Sequence, residues 1–189
     1  ADALAQPVPS VARLDLEGRS VGDTGFAAIT TKLSQLPRLT ELFAANNALG
    51  ASSARALADS LRSGTLAGLQ SLDLNNNTLG DAGLEALGAA AAAGALAQLS
   101  KLYVDKNRIT DAGVAAFAAA IGGALPRLYE LWLSNNELTS AGAAALFGAL
   151  GGGALSNLGD LRLQYNRLDD GALAALQAAV GRGALSNLW

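Results

Sequence analysis

The chain has 189 residues, 51% of them apolar, enough to bury a sizeable core in one ordinary domain. Lys and Arg number 13 against 16 Asp and Glu, a net charge of −3 at pH 7, which excludes the basic field that draws a protein to nucleic acid or to an anionic membrane. Cys, His and Met are all absent, so disulfide-tied caps, the commonest general base and the commonest transition-metal ligands are missing together. Without disulfides an intracellular setting, cytoplasmic or organellar, is favoured over a secreted one.

Residues 1–10, ADALAQPVPS, are small and Pro-punctuated and read as an N-terminal lead-in, either the remainder of a cleaved targeting peptide or a boundary. From residue 11 a single unit governs the chain. It reads LxxLxLxxN, a short turn, then an Ala-rich amphipathic stretch, with starts near residues 11, 39, 69, 99, 128 and 158 and a partial unit from 188. The clearest copies are LQSLDLNNN from Leu69, LSKLYVDKN from Leu99, LYELWLSNN from Leu128 and LGDLRLQYN from Leu158. LTELFAANN from Leu39 and VARLDLEGR from Val11 keep the frame with substitutions. Residues 11–189 therefore form one solenoid in this reading.

This repeat resembles the leucine-rich repeat. Units of this length with a full helix in each are similar to the ribonuclease-inhibitor-like subfamily. The resemblance implies an α/β fold, a right-handed, horseshoe-shaped solenoid of about six strand-turn-helix repeats with a parallel concave sheet. It implies protein binding more than any one biological role.

Within a unit, LxLxx alternates: Leu102 and Val104 point inward while Lys101, Tyr103 and Asp105 point out. The closing Asn, at Asn47, Asn77, Asn107, Asn136 and Asn166 with Arg19 in the first unit, has the donors and acceptor to satisfy buried backbone groups where the strand turns. Four residues further on come Asp23, Asp81, Asp111, Ser140 and Asp170, whose oxygens are expected to cap the helix that follows. Helical spacing then marks core positions: Ile29 and Leu33, Leu57 and Leu61, Leu87, Phe117 and Ile121, Leu146 and Leu150, Leu176 and Val180. Another leucine follows each helix, at Leu36, Leu66, Leu96, Leu125, Leu155 and Leu185. The uncharged run from Leu138 to Gly159 stays in frame and reads as a repeat helix with its turn, not as membrane insertion.

Enzymatic chemistry finds no foothold: there is no His or Cys, no phosphate-cradling loop, no metal site and no cofactor motif. The middle outward position of successive units carries Asp15, Phe43, Asp73, Tyr103, Trp132 and Arg162. Tyr103, Trp132 and Arg162 fall on consecutive strands and are expected to form one ridge, with Tyr165 near its rim and Phe43 further along. Trp, Tyr and Arg are the types enriched at binding hot spots; the competing reading is that they stack on one another. Lys101, Asp105 and Glu130 complete a mixed rim suited to orienting a protein partner. Two further contacts are expected, Phe147 on the charge-poor outer helices and Trp189 at an end without a polar cap.

These features point to a non-catalytic interaction module or scaffold that binds a protein partner on its concave face. One alternative is a structural subunit of a larger complex, docked through the C-terminal end and the outer helices. A GTPase-activating protein, by family resemblance, and an engineered scaffold, from the missing residue types, are the others.

Overall fold

A computed structural model describes residues 10–182; the lead-in before them and Leu185 and Trp189 after them lie outside the described residues. Six three-residue strands alternate with six α-helices: β1 Arg13–Asp15, α1 Gly22–Thr30, β2 Glu41–Phe43, α2 Ala51–Arg62, β3 Ser71–Asp73, α3 Gly80–Ala92, β4 Lys101–Tyr103, α4 Asp111–Ala120, β5 Glu130–Trp132, α5 Ser140–Gly151, β6 Asp160–Arg162 and α6 Asp170–Gly181. The strands pair in parallel in chain order, each in register with the next. Strands sit about 4.8 Å apart, whereas packed helices need about 8–10 Å. A stack with strands on one side and helices on the other must therefore bend, with the sheet on its concave side.

Between the two layers lies a continuous apolar core. The repeat leucines fill it as their spacing predicts: Leu42, Leu72, Leu102 and Leu131 are fully buried, and so are Leu57, Leu87 and Leu146 on the helices. Truncating any of these to Ala would cost about 2–5 kcal/mol. Val180 departs from this rule at 54% exposed, and Leu176 is only partly buried. Among the described residues the main helix contact of α6 is with α5, and the flank that carries Leu173 and Val180 is exposed.

Phe147, expected on the outer surface, is instead in the core at 4% exposed. The matching positions in the preceding repeats are Ala58, Gly88 and Ala118, all buried where neighbouring helices meet. Phe147 fills that seam with a larger side chain. The Ala-rich character of the helices has a similar cause. A Cβ on Gly88 would lie 3.3 Å from the Cα of Phe117, so α3 and α4 approach closely only because small residues line their contact.

The Asn column is structural. The amide of Asn107 donates to the carbonyls of Leu74 (2.9 Å) and Asp105 (3.1 Å), and its oxygen accepts from the backbone N–H of Leu79 (3.2 Å). Asn136 likewise donates to Val104 and Leu133 and accepts from the N–H groups of Asn107 and Ile109. Each Asn thereby ties its own turn to the repeat before it.

The Asp/Ser column does something other than the expected capping. Its residues stand one or two places inside their helices, where they cannot occupy the cap position. They reach the next repeat instead. Asp23 accepts from Gly50 N–H (2.7 Å) and from the Ser53 hydroxyl (2.5 Å). Asp81 accepts from the N–H and hydroxyl of Thr110, both at 2.7 Å, and Asp111 from those of Thr139 at 2.8 and 2.5 Å. Ser140 accepts from Asp169 N–H at 3.0 Å and donates to the Asp169 carboxylate. For Asp170, in α6, the following unit lies outside the described residues. The caps themselves are Thr110, Thr139 and Asp169, whose side chains accept from Ala112, Ala141 and Gly171 N–H. A glycine makes room for each incoming acid: a Cβ on Gly113 would lie 2.8 Å from the Cα of Asp81, and one on Gly142 3.0 Å from the Cα of Asp111.

Candidate protein-binding face

The in-register pairing places Asp15, Phe43, Asp73, Tyr103, Trp132 and Arg162 side by side across the sheet. Alternation turns them outward, because Leu102, Leu131 and Val104 beside them are fully buried. The rings of Tyr103 and Trp132 stack with centroids 4.1 Å apart at 32°, and the Arg162 guanidinium lies 3.8 Å over the Trp132 ring. The ridge is contiguous, and its members also stack on one another, so both readings of the column describe the same object.

Its polar handles are set by the neighbouring outward positions. The Tyr103 hydroxyl donates to Glu130 at 2.5 Å, Lys101 pairs with Glu130 at 2.8 Å, and Trp132 Nε1 donates to Asp160 at 3.2 Å. Arg162 pairs with Asp160 at 2.9 Å. Burial raises the Tyr103 phenol well above its ordinary value, and the bond to Glu130 raises it further, so it stays protonated at any physiological pH. Burial pulls the Glu130 carboxyl upward, but the bonds from Lys101 and Tyr103 outweigh it and leave the pKa lowered. The Arg162 bond holds Asp160 below the usual range. These contacts fix the rotamers of large side chains before any partner arrives, which lowers the entropy cost of binding.

Elsewhere the face is less uniform. Phe43 is separated from the ridge by Asp73 and lies 4.3 Å under the Arg13 guanidinium. Asp105 accepts from Ser134 N–H at 2.6 Å, and burial raises its pKa. Tyr165 does not join the stack. It stands on the turn after β6 at 82% exposed, with φ 58°, in the column that carries Asn46, Asn76, Lys106 and Asn135, all at positive φ. Tyr129, which the motif spacing did not single out, is 51% exposed just before β5. A Cβ on Gly159 would overlap the Tyr129 ring, so the aromatic packs against that glycine where a side chain would otherwise stand. A Tyr followed one repeat later by Gly was the available signal.

Charge on this face is uneven. The three outward positions of each repeat hold three cations, Arg13, Lys101 and Arg162, against seven carboxylates, a net of −4, which Lys106 and Arg19 on the adjoining turns offset in part. Among the described residues no group of His, Cys, Asp or Glu is placed to hold a metal ion, and no helix is long and apolar enough to cross a membrane.

Comparison with known proteins agrees with this architecture. A family model described as "Leucine Rich repeat" matches residues 69–88 and 98–118. The structure titled "Leiomodin-1 Actin-Binding Site 2 (ABS2)" is similar at TM-score 0.54 and 15% identity, covering 93% of this chain and 82% of that one. An internalin from Listeria monocytogenes gives TM-score 0.44 at 22% identity, covering 83% and 42%. No curated protein matches. Repeat motif, matched units and parallel stacked architecture agree that the chain is an α/β solenoid of leucine-rich repeats.

Proposed function

We propose that the chain is a non-catalytic interaction module that binds a protein partner on its concave face. Tyr103, Trp132 and Arg162 form the centre of that contact, Lys101, Asp105 and Glu130 its rim, with Phe43 and Tyr165 at the flanks. The carrying observation is the Tyr103–Trp132–Arg162 stack, which presents large, pre-set amphipathic surface on a rigid sheet. Helices of 9 to 13 residues in units of about thirty support a ribonuclease-inhibitor-like repeat type, and the lack of cysteine supports an intracellular location.

Partner affinity measured for Tyr103→Ala, Trp132→Ala and Arg162→Ala, with folding checked by circular dichroism, tests the reading. Each is expected to weaken binding by roughly tenfold or more. Unchanged affinity in all three would sink it.

A second reading is favoured by one observation, the exposure of Leu173 and Val180 at 55% and 54% on the flank of α6. It makes the chain a structural subunit docked through that end. Light scattering on the purified chain separates the two, since a monodisperse monomer at high concentration argues against docking through an apolar end.

A further inference from the structure

The concave face pairs its own charges at both ends and leaves Asp73, in its middle, without an ion pair among the described residues. At the β1 end, Arg13 pairs with Asp15 at 3.0 Å and covers Phe43. At the β6 end, Arg162 pairs with Asp160 and covers Trp132. The two sites repeat one arrangement: a guanidinium on a carboxylate two residues away in its own strand and over an aromatic ring on the adjacent strand.

The middle has the same receiving parts without the cation. Asp73 stands in register between Phe43 and Tyr103. Trp132 takes the β5 side of the Tyr103 ring, so Asp73 adjoins its other side. The one bond to the Asp73 carboxylate comes from Asn75 N–H at 2.9 Å, and no ion pair reaches it among the described residues. Glu17 and Asp105 also lack an ion pair among the described residues, and with Asp73 they line a depression of about 270 Å³ beside this point. Lys106, on its edge, and Arg162 favour the ionised form of Asp105 by their charge, yet among the described residues neither forms an ion pair with the three carboxylates. The three acids are not placed to hold a metal ion. Burial, followed by the charges of Glu17, Asp105 and Asp15, raises the Asp73 pKa, so the ionised carboxylate sits in an unfavourable field that a cation would relieve.

We infer that the concave face selects a basic partner, and that an Arg or Lys side chain of that partner docks on Asp73, which stands in register between Phe43 and Tyr103 and lines the acidic depression. This rests on the concave-face reading above and deepens it. The cation completes, at mid-sheet, the carboxylate and aromatic arrangement that Arg13 and Arg162 complete at the ends. Glu17 and Asp105 draw further basic residues alongside it, and the net negative face speeds encounter with a positively charged surface and repels an acidic one.

A displayed library of random 12-residue peptides, panned on the intact chain, tests the inference. Peptides whose binding is lost on Trp132→Ala are those seated on the concave face. These are expected to be enriched in Arg and Lys. A synthesised representative is expected to bind Asp73→Asn at least tenfold more weakly, to bind Asp105→Asn more weakly by a smaller factor, and to lose affinity steeply between 50 and 300 mM salt. If the Trp132-dependent peptides are neutral or acidic, or bind Asp73→Asn as they bind the parent chain, the docking on Asp73 is overturned while the concave-face reading stands. If no enriched peptide distinguishes the parent chain from Trp132→Ala, both fall together.

Discussion

Two columns of side chains run the length of the sheet a few residues apart, and they differ in every respect. The Asn column from Asn47 to Asn166 is one residue type repeated, with Asn47, Asn77, Asn107 and Asn136 at most 7% exposed and their amide groups bonded to backbone. The outward column from Asp15 to Arg162 holds five residue types in six places; Tyr103, Trp132 and Arg162 bond to side chains, Asp15 to a side chain and an N–H, and Asp73 to an N–H alone. Uniformity follows from a geometric demand that recurs identically in each unit. Variety is permitted where the demand comes from outside the repeat.

If that contrast is right, substitutions in the first column should unfold the chain and those in the second should leave it folded. The largest effect is expected for Asn107→Ala, which leaves the buried N–H of Leu79 without its acceptor and takes one of two donors from each of the carbonyls of Leu74 and Asp105, which keep Asn77 and the N–H of Asn76. A loss of about 3–5 kcal/mol in chemical denaturation is expected. Next comes Gly113→Ala, which drives a methyl onto the backbone of Asp81 and should cost about 1–3 kcal/mol. Trp132→Ala should cost less in stability, because the ring rests on an exposed face, while removing most partner affinity.

The acids sharpen the contrast through pH. Bonds from serine hydroxyls, Ser53 first, and from Gly50 N–H hold the Asp23 carboxyl below its ordinary value. Its contribution is therefore complete above the ordinary carboxylate pKa of 3.8 and is lost as pH falls through the lower folded value. Asp73 is shifted the other way by burial, so its ionisation opposes folding as pH rises from 3.8 through the raised folded value. Asp23→Asn should lower the melting temperature at pH 7, and Asp73→Asn should raise it slightly. The Asp73→Asn gain should vanish in melts recorded below pH 3.8, where the parent carboxyl is protonated in both states. A destabilised Asp73→Asn at neutral pH would show that this acid serves the fold.

Much of this was legible in the residues. Three-residue strands, helix positions and the buried leucines follow from two periods, 2 and 3.6, repeated in phase, and the register that aligns Tyr103, Trp132 and Arg162 follows from the spacing of the motif. What escaped was whatever depends on the neighbouring repeat. A carboxylate four residues past the Asn looks like a helix cap whether it bonds its own N–H groups or those of the next unit, and only the three-dimensional offset between Asp81 and Thr110 decides. The glycine two places after Asp111, at Gly113, and after Ser140, at Gly142, was a clue, since each leaves room for the acid arriving from the preceding repeat. Phe147 was misplaced for the same reason: its burial is a property of the seam between helices, where Ala118 and Gly88 stand in earlier units. Nor does spacing reveal that Arg162 rests on Trp132 rather than standing free.

The principal contacts between elements join each helix to the next helix and each strand to the next strand. A molecule wired in this way melts like a zipper, from the outside inward, and amide exchange should be slowest around β3 and β4 and fastest in the outermost described repeats. Because the stack Tyr103–Trp132–Arg162 bridges β4, β5 and β6, a partner gripping it would act as a clasp on the looser end of the zipper. Occupancy of the face would then be readable far from the contact itself, as slowed exchange in the amides of α6.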